Sequence, residues 1–383
     1  MNTPTADFDL VILGAGASGL LLADALLADG CFDDHRILLV DQANKNTNDR
    51  TWCYWEAGQG AYDHLLLKEW DKAVFKSASG EREFALNPYT YKMLRSAPFY
   101  EDVHRRLSEK KGFELLQEKV VAVEDTGELV KITLSQREIT AAKCCSSVRD
   151  LDFLHDRRKY PLIQQHFVGW FVETERPVFD ENRVTLMDFS VPQDGNTRFM
   201  YILPERPNRA LLEYTLFSAD LLPEAEYEQA IAAYLSKMGV SKYRIVEKEA
   251  GNIPMSAFPL HLKNTKNLIY IGTAGGWTKA STGYTFHNSM VKVKELVHFM
   301  KTKSDFRMFK TQDRFDFYDR VFLEVLYHHN EMGAEIFSRM FLKSDPVNNF
   351  RFLDNQTRFT QELSILQVMP KALFLKYAIK ILV

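Results

Sequence analysis

The chain opens on a short apolar run, residues 8–13 (FDLVIL), that ends in a cluster of glycines. A run this short and apolar predicts a strand buried on both faces of a parallel sheet. Residues 17–29 are rich in Leu and Ala and predict a helix, with Gly30 placed just past its end. Residues 36–40 predict a second apolar strand, closed by Asp41. Strand, turn, helix and strand thus follow one another at the length of a βαβ unit. Residues 42–50 are polar and rich in Asn, a loop, and lead into the aromatic stretch Thr51-Trp52-Cys53-Tyr54-Trp55. Further on, 91–109 predicts a helix, and the alternation over 113–124 and 127–134 a hairpin. Strands are predicted at 164–174, 197–203 and 209–215, and a helix at 223–238. A last apolar strand over 268–272 enters a second glycine cluster, Gly272–Gly283, before a helix at 288–303. Residues 304–383 predict helices only.

Length and composition narrow the class. A chain of 383 residues has room for two domains, or for one nucleotide-binding domain with a large insertion. The predicted division is a discontinuous nucleotide-binding domain over 1–160 and 245–300, a substrate-binding sheet region over 161–244 with parts of 50–100, and a helical region over 301–383. The net charge of −3 offers no basic face for nucleic acid. The four cysteines, Cys31, Cys53, Cys144 and Cys145, form no CxxC pair; they predict free thiols in a reducing cytosol and no metal site. The N-terminus shows neither the basic nor the apolar segment of a secretory leader. No window supplies the ~20 apolar residues that cross a bilayer. Aromatic residues make up 13% of the chain, which suits an apolar ligand and suits a Phe-rich core equally.

The first glycine cluster carries chemistry. Gly14-Ala15-Gly16-Ala17-Ser18-Gly19 matches G-x-G-x-x-G with the strand before it and the helix after it that the motif requires. The first glycine permits the tight turn, the second the approach of backbone to a pyrophosphate, and the third close packing of helix on strand. The phosphates would rest on the helix N-terminus. Asp41 ends the second strand, where a carboxylate accepts hydrogen bonds from ribose hydroxyls. The fingerprint by itself suits NAD or FAD; its N-terminal place and the distant second glycine cluster favour FAD. In that second cluster Thr273 follows Gly272, where many flavoproteins carry Asp, and its hydroxyl can still bond a ribityl or phosphate oxygen. Gly283 and the next helix N-terminus would stand near the isoalloxazine. Arg50 is a candidate for a cofactor phosphate, with a surface loop Arg the competing reading. Val120, in the alternating stretch 113–124, completes the predicted cofactor-binding set.

Taken together, several segments resemble the FAD-containing bacterial lycopene cyclases of carotenoid synthesis. They are Val11–Leu20, Asp49–Trp55, Tyr91–Ser96, His166–Trp170, Leu186–Phe189, Phe199–Pro204, Leu211–Ser218, Gly251–Met255 and Gly272–Tyr284. Each is short, they fall in the family's order, and they cover roughly residues 8–300. The resemblance implies a Rossmann-like FAD-binding domain of the large flavoprotein monooxygenase type, with a β-sheet substrate domain and a helical C-terminal region. It implies an enzyme that turns the ends of lycopene into β-ionone rings, through γ-carotene to β-carotene. The family needs reduced FAD, with NADPH the usual electron source, yet the reaction has no net redox change.

Cyclisation needs an acid strong enough to protonate an alkene. Glu213 is the candidate: it is the one charge in the apolar run Leu211–Thr215, and it matches the first glutamate of the family's paired-glutamate motif. Burial would keep it protonated near neutral pH. The second glutamate of that motif is Tyr214 here, so its role must be filled differently. Asp188 is a weaker candidate for a second acid–base group, against the reading of a satisfied structural carboxylate. Trp52, Tyr54, Trp55, Trp170, Phe171 and Phe189 are candidates for a polyene tunnel, with core packing the alternative for each. A membrane-dissolved substrate implies a cytoplasmic protein peripherally bound to the inner face of the membrane. The apolar, Lys-containing stretch 369–383 predicts an interfacial helix, or else one packed on its own domain. An FAD- and NADPH-dependent monooxygenase or halogenase, and a prenyl-chain reductase, are the competing functions.

Overall fold

The structure, a computed structural model, describes residues 6–148, 160–310 and 313–382. Two places used above lie outside the described residues: the first five positions, read for a leader, and 149–159, beside the predicted boundary at 160.

The βαβ unit forms where the apolar pattern predicts it. Strand β1 (Phe8–Leu13), helix α1 (Ala17–Ala28) and strand β2 (Ile37–Asp41) follow in order, and the two strands pair in parallel. Next come β3 (Thr51–Ala57), β4 (Leu66–Trp70), β5 (Lys72–Ser77), β6 (Gly80–Ala85), β7 (Tyr89–Arg95) and α2 (Ser96–Ser108). β8 (Phe113–Gln117), β9 (Val120–Asp125), β10 (Val130–Leu134) and β11 (Glu138–Ser146) complete the N-terminal part. The middle carries β12 (Leu162–Thr174), β13 (Val184–Asp188), β14 (Thr197–Arg206), β15 (Arg209–Ser218), α3 (Glu224–Lys237) and β16 (Tyr243–Ser256). β17 (Leu268–Tyr270) and α4 (Phe286–Met300) lead to α5 (Arg314–His328), α6 (Gly333–Lys343), α7 (Pro346–Leu353), α8 (Phe359–Leu366) and α9 (Lys371–Leu382).

The strands build three sheets. The first has the order β8-β2-β1-β11-β10-β9, with β17 parallel to the end of β11. Its central strands β1, β2 and the end of β11 are buried on both faces: Ile12, Leu39 and Cys145 pack toward α1 and α4, while Val11, Leu38 and Cys144 enter a separate core on the other side. The second sheet has the order β16-β12-β15-β14-β13-β5-β6. One of its faces packs against α3, and the other against the small third sheet (β3-β7-β4) and the C-terminal helices. This is the α/β architecture of the FAD-dependent monooxygenases.

Three expectations need correction. Residues 91–95 are strand, and the helix begins only at Ser96. Lys, Met, Leu and Arg are good helix formers, but here they form the central strand of the third sheet, paired with β3 and β4. The Lys92 ammonium is buried there, held by Glu56 at 2.9 Å and Asp63 at 2.5 Å. Residues 113–117 do not join the predicted hairpin; they pair in parallel with β2, and the hairpin is β9–β10. Residues 245–256 belong to β16 in the second sheet, along the whole of β12, rather than to the nucleotide-binding part. That strand carries Arg244, Glu247, Lys248 and Glu249, so no apolar alternation marks it.

The helical C-terminal region closes over the second sheet. Arg82 donates to the carbonyls of Phe341 and Ser344 at 3.0 and 2.7 Å. Lys279, in the second glycine cluster, is buried against Asp319 of α5 at 3.0 Å and donates to Asn355 at 2.6 Å.

Candidate active site

The fingerprint residues lie at the turn between β1 and α1. Gly14 has φ +95°, and a Cβ there would lie 2.2 Å from Ser147 Oγ. A Cβ on Gly19 would lie 1.8 Å from the Gly14 carbonyl oxygen, so α1 sits on β1 as closely as backbone allows. A Cβ on Gly16 would meet no protein atom within 4 Å, because this glycine faces outward beside the first turn of α1. That turn carries no acidic residue, so its N–H groups face an anion without competition. Ala15 N–H donates to Asp41 Oδ2 at 2.7 Å and Ala43 N–H to Asp41 Oδ1 at 2.8 Å, which fixes the carboxylate beside the turn. A bare backbone face, a free helix N-terminus and a tethered carboxylate fit the pyrophosphate and ribose of a dinucleotide.

The late glycine cluster meets this end directly. Gly272 has φ +60°, and a Cβ there would lie 2.5 Å from Ser18 Oγ. Ser18 in turn is hydrogen-bonded to Ser289 of α4 at 2.9 Å, so one buried serine joins α1, α4 and the late loop. Thr273, Thr278 and Thr285 form a chain of hydroxyls, 3.1 and 2.9 Å apart, that runs to the N-terminus of α4. Gly283 has φ +75° and lies against Gln165 of β12, so this loop also touches the second sheet. Arg50 is exposed, with its guanidinium on the Asp49 carbonyl at 2.5 Å. Val120 starts β9, just past Gln117, which is in register with Asp41.

Glu213 lies in the second sheet, on the face turned toward that loop. Strand alternation puts Leu211, Glu213, Thr215 and Phe217 on one side and Leu212, Tyr214 and Leu216 on the other. Register aligns Tyr201 of β14, Glu213 of β15, Gly169 of β12 and Glu249 of β16 in one row across the strands. Glu213 is 9% exposed. Burial, with the charge of Glu249 added, pushes its carboxyl up to about 8, against the opposing hydrogen bond from Thr215 Oγ1 at 2.7 Å. Tyr201 belongs to a group of three tyrosines: the buried Tyr91 is hydrogen-bonded to Tyr201 and, at 3.0 Å, to the partly buried Tyr284 of the glycine-rich loop. Burial holds all three phenols far above their ordinary range, so they are neutral. The result is a carboxyl that burial biases toward its protonated form, set among aromatic side chains, which suits proton donation to a poor base.

Asp188 is not part of this group. It is in register with Met200 and so faces α3, where it accepts from Tyr234 Oη at 2.5 Å and from the Ser190 N–H at 2.8 Å. A sheet of backbone separates it from Glu213, because neighbouring positions point to opposite faces. Tyr214 and Trp170 face the α3 side for the same reason. Of the other aromatics, Trp52 and Tyr54 pack on Phe286 of α4, Trp55 on Tyr284, and Phe171 and Phe189 lie on the Glu213 face. Sequence reasoning missed Glu249, whose strand shows no pattern, and gave no role to Gly169, which it met only within a family segment.

Two cavities differ in their lining. One of about 480 Å³ lies on the α3 face, among Arg198, Tyr214 and Tyr234, away from Glu213. The other, about 370 Å³, is almost wholly apolar and lies among α5–α9. Phe317, Phe322, Phe337 and Met369 contribute to its wall, and Ser281 and Thr282 bring it to the glycine-rich loop. Thr282 Oγ1 is buried there with no hydrogen-bond partner.

Comparison with known proteins agrees with this layout. The family described as "Lycopene cyclase protein" matches residues 9–378. The lycopene beta-cyclase of Pantoea ananas is 26% identical over 73% of this chain and 71% of its own length. The neoxanthin synthase of Solanum lycopersicum is 25% identical over 76% of this chain, and the match spans 59% of that chloroplastic protein. Among solved structures, a variant of the halogenase PltM in complex with FAD superposes with a TM-score of 0.61 at 11% identity, over 96% of this chain and 85% of its own. A geranylgeranyl bacteriochlorophyll reductase-like protein of Thermoplasma acidophilum gives 0.56 at 11% identity, over 97% and 95%.

Proposed function

This chain belongs to the lycopene cyclase family, and from that premise we propose that it is a carotenoid-modifying enzyme, a β-cyclase that closes the ends of lycopene into β-ionone rings by way of γ-carotene. The observation that carries the reading is Glu213, a carboxylic acid kept protonated at neutral pH between neutral tyrosines and the glycine-rich loop. Glu213 donates its proton to the terminal C1=C2 bond of the substrate. The C1 cation is attacked by C5=C6, and the ring cation sheds a proton from C6. Substrate and product are isomers, so the residues present need supply only an acid, a dry apolar wall and a base. Gly14, Gly16, Gly19, Asp41 and Gly272 would hold FAD by its phosphates and ribose. When bound and reduced, with NADPH as the proposed electron source, FAD supplies negative charge that favours a nearby cation. The apolar cavity beside Ser281 and Thr282 suits the hydrocarbon chain of the substrate.

Expression in a lycopene-accumulating bacterium tests this. The expected result is a change from red to yellow-orange, with a product of the same mass as lycopene. A product heavier by oxygen or by hydrogen overturns the cyclase in favour of a monooxygenase or a prenyl-chain reductase.

Such a substrate is dissolved in membrane, and we propose that α8 and α9 rest on the cytoplasmic face of the bilayer. Among the described residues no helix is long and apolar enough to cross it. On α9, Tyr377 is buried and stacks on His328, and Lys380 reaches Glu324 at 3.0 Å, so the helix does pack on its own domain. Its other face leaves Leu375, Ile379 and Leu382 exposed by 61%, 53% and 75%, and Phe359 of α8 is exposed by 62%. These positions form an apolar stripe at helical spacing, rimmed by Lys371 and Lys376. Replacing Leu375, Ile379 and Leu382 together by Ser should remove flotation with lipid vesicles while leaving the melting temperature unchanged. Flotation equal to that of the unmodified chain sinks the proposal.

A further inference from the structure

Glu249 stands two strands from Glu213, on the same face and in the same register row, with only Gly169 between them. Any other residue at 169 would fill that gap. A Cβ on Gly169 would lie 2.9 Å from the Cδ1 of Leu211, 3.2 Å from the Cγ of Glu249 and 3.6 Å from the Cγ of Glu213, so both glutamates and Leu211 close over the glycine. The glycine also costs the strand stability, since it is interior to a long β-strand with nothing to pack. Space for two carboxyls is a physical reason for it.

The two carboxyls are unlike in their surroundings. Glu213 is buried in the sheet and has Thr215 as its hydroxyl donor. Glu249 is half-buried on the edge strand β16. Its Oε2 accepts from Thr51 Oγ1 of β3 at 2.6 Å. Burial raises its carboxyl above the ordinary range; the hydrogen bond from Thr51 and the charges of Arg95 and Arg50 oppose that rise, while Glu247, itself paired with Arg95, adds to it. Cys53 of β3 faces both glutamates and is neutral, because burial holds its thiol far up. Tyr284 of the loop faces Glu213 and is neutral too. Cations and a hydroxyl donor thus gather on Glu249, while neutral groups gather on Glu213.

We propose that Glu249 is a positioning residue that forms a carboxyl pair with Glu213 across Gly169, the pair carrying one proton at neutral pH and the asymmetry of its surroundings placing that proton on Glu213. The charge of Glu249 disfavours ionisation of Glu213 across the glycine, and the site with the cationic neighbours takes the charge. Only protons move: one O–H bond of the pair breaks as one C–H bond of the substrate forms, and the C–H bond broken at C6 releases one proton again. This rests on the cyclase reading for its use, but not for its existence.

The test measures the pair without turnover. Infrared titration of the whole protein, taken as the difference between the unmodified chain and E213Q, isolates the protonated carboxyl of Glu213. That band should persist to near pH 8. In E249Q, which removes the neighbouring charge at constant shape, the band should vanish at least about one pH unit lower, and ring formation above the new midpoint should fall about tenfold while activity at acid pH is kept. E249D keeps the charge and should titrate like the unmodified chain, whereas a merely structural role would make it as damaging as E249Q. An unshifted band in E249Q overturns the proposal. A shifted band in a protein that forms no rings from lycopene overturns the cyclase reading and leaves the pair standing.

Discussion

E213Q should lose ring formation by ~10²–10⁴-fold, the usual contribution of a positioned proton donor, while it folds and keeps its flavin. Glutamine preserves the shape of the side chain and its contact with Thr215, but has no acidic proton to give. The unmodified enzyme should lose activity as the pH rises through about 8, because the active form is the protonated one. The same residue has a cost in stability. Its carboxyl binds a proton more tightly in the fold than in the unfolded chain, so folding takes up a proton between the ordinary carboxylate range and about 8. Its burden on stability is absent at acid pH and grows as the pH rises through that window. E213Q, which never ionises, should therefore melt at least as high as the unmodified chain at pH 8, and the gap should close at pH 5. Chromatography of the carotenoids and a melting curve at the two pH values check both halves. Substantial ring formation by E213Q would remove Glu213 from the mechanism.

The second large effect is expected at the other end of the cofactor site. Gly19→Ala should give a protein that retains no flavin and melts lower, because the new Cβ would stand 1.8 Å from the Gly14 carbonyl oxygen. Backbone does not yield as a flexible side chain does, so α1 must move off β1. Overpacking of this kind typically costs about 1–3 kcal/mol, and here it also displaces the phosphate-facing turn. Gly16→Ala is the informative contrast. Its Cβ meets no protein atom, so the fold should be unaffected and only flavin retention reduced. Flavin absorbance per protein, measured with the melting temperature, separates the two. Full flavin retention by Gly19→Ala would mean that the close approach of helix and strand is not needed.

Local features were the legible ones. The strand before Gly14, the helix after it and the tether at Asp41 all follow from short stretches in which neighbours in sequence are neighbours in space. The same holds for α3, α4 and the run of C-terminal helices. Tyr91–Arg95 misled, because residues good at forming helix are held in a strand by two partners whose paired residues lie 21 or more positions earlier in the chain, Thr51–Ala57 and Leu66–Trp70. Asp188 misled because a carboxylate in an apolar stretch looks the same whichever face of the sheet it turns to.

By itself, then, the sequence determined the nucleotide-binding end of this protein and named Glu213. Those depend on backbone conformation and on a resemblance carried by short segments. Only the tertiary structure decided which carboxylate shares the register row of Glu213. Glu249 lies in a charged strand 36 residues away in sequence, and it reaches the site through the register of β15, β12 and β16. Register is a property of strands once paired, and a shift by one residue would turn Glu249 to the opposite face.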